Sequence, residues 1–308
     1  MQDLLKINNL MYGYKDDNSV IKIDEKLVNL AILLANTKFN DDYVLKPTGY
    51  TNEIILNDSR SFLESKFKLH NVSYASDQMI KDSLDGLEVD SIDLLLDKYN
   101  KTSILVSPFD IPINFVNKPY YHGVLSIQDI EFYEEEFLKR MKIFIKEIEL
   151  SNIKSEFSSL CHIHEIMHME LIRLKGAVTD YLNSDVLSIF IELIYAYEKD
   201  KKLLKKDYLN RINYFLMEFD TLYKYYYEND GSITIINASI CSKYIISILK
   251  ALYLFYIYIN GDILLKKFII EKIQEVIDGK RTLEETLEEL DVTYDNSLNK
   301  DVIIKRLL

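Results

Sequence analysis

The chain has 308 residues, 48% of them apolar, and its 37 Lys+Arg against 49 Asp+Glu leave a formal net charge of −12. So large an apolar share excludes a disordered chain, and the acidic balance, with a pI near 5.0, excludes a coat for nucleic acid because it repels phosphate. The 8 Gly and 4 Pro are too few for the turns of a sandwich or barrel, so long helices remain.

The first part of the chain reads as mixed. Asp24–Asn36 is expected as a helix, Asn52–Leu56 and Lys68–Tyr74 as short strands, and Ser76–Leu84 and Asp90–Tyr99 as short helices opened by Ser or Asp. Ser103–Val116 and Tyr120–Ile127 have the β-branched and aromatic content of strands; Asn117 and Pro119 between them predict a hairpin or an edge pairing. From Ile130 onward the pattern is helical: Ile130–Glu149, Ile153–Leu174 (ended by Gly176), Ser184–Glu198, Lys205–Tyr227, Ile236–Ile259 and Ile263–Asp278. Thr282 and Glu285 then form a capping box for a further helix, and a short one closes Asn299–Leu308. The predicted class is mainly α (α+β): a mixed α/β part over 1–128 with a few strands, then a helical 129–308, or one continuous fold.

Cys161 and Cys241 are too few for a disulfide framework. The opening stretch MQDLLKINNLMYGYKDDN has no apolar run of signal-peptide length, which predicts a cytoplasmic location. The most apolar stretch, Tyr244–Ile259, is short for a bilayer and interrupted by Lys250; a buried helix is expected, without membrane insertion. The acidic run Glu134–Glu136 reads as a solvated face, and the short basic clusters at 201–206 give no support for nucleic-acid binding.

Chemistry concentrates in CHIHEIMHME, residues 161–170. His164, Glu165 and His168 make an H-E-x-x-H pattern inside a predicted helix. Residues i and i+4 stand one above the other on a helix face, so both imidazoles can reach one zinc ion, and the intervening Glu can take a proton from the metal's water. The neighbours Ile163, Ile166, Met167 and Met169 are apolar, so the polar trio is expected in a buried setting, and only five His occur in the whole chain. The alternative is a pair of hydrogen-bonded core histidines with a surface Glu. His162 points to another helix face and is expected to be structural, as is Cys161.

An open zinc site needs a third protein ligand, and no His follows His168, so a downstream carboxylate is required. Glu192 lies among Phe190, Ile191, Leu193 and Ile194, where a buried carboxylate needs a cation. Asp185, in the first turn of the same helix, is the alternative. Glu198 at the helix end is expected to support a ligand from behind.

These residues resemble the thimet oligopeptidase and oligoendopeptidase F family of zinc metallopeptidases. That family reads H-E-x-G-H, then a helix like DYxIFVAEVASTxNE whose first Glu is the third zinc ligand. Here Asp180-Tyr181 and LSIFIELIYAYE (Leu187–Glu198) follow the same rhythm, and Glu192 stands 24 residues after His168. Thermolysin-like enzymes place that ligand nearer, where this chain has Ser188. A Tyr-rich helix ending in Gly, YLFYIYING (Tyr253–Gly261), and LEELDV (Leu287–Val292) also match family segments, so the resemblance covers about 156–302.

The resemblance implies a zincin-like helical catalytic domain of the gluzincin type, with Zn²⁺ on His164, His168 and Glu192 and with Glu165 as general base. Three features depart from the family. Family members are longer, Met167 stands where they have Gly, and the His that steadies the oxyanion ahead of the Tyr helix is absent. That role is expected to pass to Tyr256 or Tyr258, or to Tyr244 or Tyr253, unless the Tyr helix is plain core. The expected activity is hydrolysis of short or unstructured peptides laid along a sheet edge in the 103–127 region; the alternative is a catalytically impaired peptide-binding or regulatory module. The edge strand such a substrate needs is expected just ahead of the zinc helix, but here the predicted helix 130–149 intervenes.

Overall fold

The computed structural model describes residues 13–14, 20–21, 47–87, 92–118, 122–126, 143–175, 181–208, 211 and 235–293. They form two compact units, one drawn from 45–180 with 268–283, the other from 1–44, 181–267 and 284–308. The helices predicted over Asp24–Asn36 and Asn299–Leu308, the acidic run Glu134–Glu136, and positions 130–142 and 212–227 of two further helices lie outside the described residues. The class is mainly α with a small mixed sheet, as predicted.

In chain order the elements are β1 (Gly13–Tyr14), β2 (Val20–Ile21), α1 (Asn52–Lys66), β3 (Val72–Tyr74), α2 (Asp77–Leu84), α3 (Ile92–Thr102), β4 (Ile104–Val106), a 3-10 turn (Pro108–Asp110), β5 (Ile113–Val116), β6 (His122–Ser126) and β7 (Ile145–Ser151). Then follow α4 (Glu156–Lys175), α5 (Tyr181–Lys199), a helical segment over 201–208, α6 (Ile235–Asn260), α7 (Ile263–Ile277) and α8 (Leu283–Thr293).

The sheet of the first unit is built on β7. Its Ile145, Ile148 and Leu150 are buried. One edge takes β3 (Tyr74 opposite Ile145) and then β5 (Ile113–Val116 opposite Ile148–Ser151), both parallel. The other takes β6, antiparallel, from His122 opposite Leu150 to Ser126 opposite Ile145. β4 pairs antiparallel with β3. The chain then turns at once into α4.

Four expectations are corrected here. Asn52–Leu56 is the start of α1 rather than a strand: the Thr51 side chain caps it by accepting from the Ile54 N–H at 3.3 Å, and Ile55, Ser59 and Leu63, four apart, form its buried face. Ser103–Val116 is two strands split by the 3-10 turn at Pro108. The end of the predicted helix Ile130–Glu149 is strand β7, whose buried and part-buried residues suit a sheet interior. β5 and β6 do not form a hairpin, because β7 lies between them; β7 itself is a strand running just ahead of α4.

Helix α1 is tied to α4 where the Ser59 hydroxyl donates to its own helix (Ile55 O, 2.7 Å) and to Ser159 O (3.3 Å). The end of α7 closes the other side: Gln274 exchanges hydrogen bonds with the Lys68 backbone at 2.7 and 3.1 Å. Gly279 (φ 72°) then allows the left-handed turn in which Lys280 N–H reaches Glu275 O at 2.8 Å and Gly279 N–H reaches Val276 O at 3.0 Å.

The second unit is helical. α5 is buried on every face from Val186 to Ala196 and packs against α6, which is buried from Ser247 to Ile259 except at the part-buried Lys250. The apolar run that includes Tyr244–Ile259 is thus an interior helix, and no helix among the described residues is long and apolar enough to cross a membrane.

Tyr99 tests the packing of the first unit. It is fully buried in a cluster with Ala75, Ile80 and Phe144, stacks on Phe144 with ring centroids 5.6 Å apart, and has no hydroxyl partner among the described residues. Burial pushes its phenol pKa up to about 12. The fold holds the protonated form, so its contribution is whole below about pH 10 and is lost as pH rises from there toward 12. Tyr99→Phe is expected to be neutral or stabilising by up to about 1 kcal/mol at pH 8, with a smaller alkaline loss than the wild type. Urea unfolding across that pH range checks both.

Candidate metal centre

The start of α4 is set by serines. The Ser155 hydroxyl accepts from the Phe157 N–H at 3.2 Å, and the Ser158 hydroxyl accepts from the Ser155 N–H at 3.1 Å, a reciprocal cap that fixes the phase of all that follows. From Phe157 to Leu171 every residue is buried except His168, which is partly so. Apolar surroundings of this kind leave no water for polar side chains, so each must find a protein partner or a cation.

His164 and His168 find each other. Their Nε2 atoms are 2.9 Å apart and their rings meet edge to face, with centroids 4.6 Å apart. A tetrahedral zinc held by two imidazoles at the usual bond lengths separates the nitrogens by about 3.3 Å, so the pair is close to metal geometry with little movement. The chemistry of the donors also suits zinc: imidazole nitrogens on a buried helix with a carboxylate beside them.

Glu165, 3% exposed, finds a partner that the sequence did not single out. Its Oε1 is hydrogen-bonded to His122 Nδ1 from the start of β6. The His122 ring also stands edge-on to His164, centroids 4.8 Å apart. Nothing local could have found this: His122 is 43 residues away and reaches Glu165 only because β6 pairs antiparallel with β7.

Two further polar residues on α4 behave differently. His162 is fully buried with neither nitrogen partnered among the described residues, and burial pushes its pKa down to about 3, so it is a neutral core histidine, as expected. Glu170, fully buried, accepts from the His70 N–H at 2.8 Å, lies 3.1 Å from His70 Nδ1 and 3.6 Å from Arg173 Nε. Burial is the larger influence and holds its pKa above the usual carboxylate value, against the His70 and Arg173 partners. Cys161 is buried and forms no disulfide among the described residues.

The remaining predicted residues belong to the helical unit. Glu192 is fully buried on α5, and Arg211 grips both its oxygens, with Nη2 to Oε2 at 2.6 Å and Nε to Oε1. The cation that this buried carboxylate needs is thus Arg211, 19 residues further along the chain. Asp207, 1% exposed, lies close enough to feel both charges; its carboxylate has no hydrogen-bond partner among the described residues. Burial above all, then the Glu192 charge, raises its pKa well above the usual value, against Arg211. Glu198 accepts from the Tyr258 hydroxyl at 3.3 Å, and Phe190 meets the Tyr258 ring edge to face at 6.0 Å. Burial and then Glu198 raise the Tyr258 pKa, so its phenol stays protonated at neutral pH. Tyr253 and Tyr256 are buried on the same helix, and the side chains of Cys241 and Tyr244 lie outside the described residues.

One unit therefore gathers His164, Glu165 and His168 with His122. The other gathers Glu192 with Arg211 and Asp207, and Glu198 with Tyr258. Asp207 gives a direct stability test. Its raised pKa means that the fold favours its protonated form, so its cost grows as pH rises above about 3.8. Asp207→Asn is expected to stabilise the protein by about 1–3 kcal/mol at pH 7, with an advantage that shrinks toward pH 4; thermal unfolding of both proteins across that range measures it. No family model, curated protein or solved structure matches the chain.

Proposed function

We propose that this chain is a zinc-dependent metallopeptidase of the gluzincin type that hydrolyses short or unstructured peptides. The observation that carries the reading is the pair of imidazole nitrogens 2.9 Å apart on one helix face, His164 buried and His168 partly so, with Glu165 between them in sequence. The residues that would hold the metal are His164, His168 and, from the resemblance, Glu192. When bound, zinc would act as a Lewis acid and lower the pKa of a coordinated water to about 7.

Glu165 takes the proton of the attacking water and returns it to the leaving amine. A protonated phenol, Tyr258 or Tyr256, is the proposed donor to the oxyanion, with Glu198 orienting Tyr258. The substrate would add as an extended strand beside β6, which pairs only with β7 among the described residues. The proposed compartment is the cytoplasm.

A second reading is favoured by Arg211: a guanidinium satisfying Glu192 is what a metal-free scaffold that only binds peptide would keep. The two separate cleanly. Glu165→Gln is expected to retain zinc and lose cleavage of a quenched-fluorescent peptide library by about 10²–10⁴-fold, and His168→Ala to lose both. Chelation should abolish turnover and zinc repletion restore it. A purified wild type that binds no zinc, or whose turnover survives Glu165→Gln, overturns the peptidase reading.

A further inference from the structure

The proposed chemistry needs one oxygen of Glu165 turned to the water and the other held still. A free carboxylate swings about its last torsion at almost no cost, and an unpaired one in this apolar helix would be costly to bury. The residue that holds it comes from outside the motif.

We propose that His122 is the positioning residue of Glu165: its Nδ1–H donates to Oε1, sets the plane of the carboxylate, and leaves Oε2 as the proton acceptor. The inference rests on the metallopeptidase reading, which it deepens. A carboxylate can only accept, so the ring nitrogen facing it must be the donor, and this assigns the Nδ1–H tautomer.

The ring itself is held on three sides. Its backbone stands at the start of β6, opposite the fully buried Leu150 of β7. Its face geometry is set by His164, edge-on at 4.8 Å and 70°. Its Nδ1 is committed to Glu165, and its side chain is only 19% exposed.

The placement of His122 has a consequence for substrate. Among the described residues β6 is an outer strand of the sheet, so a peptide pairing along its free edge would lie beside the residue that orients the base. Docking and base alignment would then share one strand. His122 acts on the base and not on the carbonyl, so it does not replace the absent downstream oxyanion His.

The test compares His122→Ala and His122→Asn with the wild type in zinc content, kcat and KM, together with ¹H–¹⁵N correlation spectra of the imidazoles, which five His make tractable. Asn carries an N–H donor near the place of Nδ1. The expected result is full zinc content in both variants, a kcat about 10–100-fold lower for Ala with KM little changed, and recovery of most of that loss by Asn. The wild-type His122 signal should be of the Nδ1–H form and should shift in Glu165→Gln.

Undiminished kcat in His122→Ala overturns the proposal. So does loss of zinc in that variant, which would make His122 a ligand, or an Asn variant as impaired as Ala, which would reduce the role to packing. A wild type without zinc or chelator-sensitive cleavage overturns the peptidase reading and with it the catalytic role of His122. The tautomer signal still reports separately whether the His122–Glu165 bond exists, and an Nε2–H form overturns the proposal by itself.

Discussion

Burying a helix that carries polar side chains imposes one requirement on everything around it: each of those groups must be met by a partner. α4 is such a helix. Its sequence places His162, His164, Glu165, His168 and Glu170 within nine residues, in a stretch with almost no solvent contact. Left unmatched, buried carboxylates and imidazoles would cost several kcal/mol each, comparable with the whole stability of a domain. The first unit is arranged so that most are matched.

The partners come from every side of α4. β6 delivers His122 to Glu165. The loop after α1 brings the His70 backbone and ring to Glu170, and Arg173 bridges from the same helix to the Ile277 carbonyl at 2.9 Å. α1 meets α4 through Ser59. Of these five, His162 goes without a hydrogen-bond partner among the described residues, and it meets the requirement by staying neutral, which its depressed pKa allows. His164 and His168 meet each other, Nε2 to Nε2 at 2.9 Å, which is also what makes the pair a metal candidate.

The helical unit obeys the same requirement with a different economy of charge. On α5 Glu192 is matched by Arg211, with a second buried carboxylate, Asp207, beside it. Burial, and then the Glu192 charge, raises the Asp207 pKa, so the fold favours its neutral form beside that pair. Tyr258 and Glu198 are a milder case, a phenol and a carboxylate that restrain each other's orientation. Polar groups held this tightly are where catalysis or binding can be built, since a held group needs no reorganisation to act. They are equally what a stable scaffold needs, which is why the proposed chemistry rests on the His164–His168 geometry and not on burial alone.

The sequence by itself determined the helical class, the long helices now found at 156–175, 181–199, 235–260 and 263–277, the interior place of the Tyr-rich helix, and the turn and a half in which His164, Glu165 and His168 share a helix. All of these follow from spacing within a few residues, where 3.6-residue periodicity and capping act directly. Where local pattern was ambiguous it failed: NEIIL read as a strand until Thr51 and Ser59 gave it a cap and a partner helix, and the segment ending FIKEIELS read as a helix although it became the central strand. Only the tertiary structure decided that β7 separates β5 from β6, that His122 stands at Glu165, and that Arg211 answers Glu192. The physical reason is distance along the chain. Strand register and buried charge pairing are set by which surfaces meet, and a residue 43 positions from its partner leaves no trace of that meeting in its own neighbourhood.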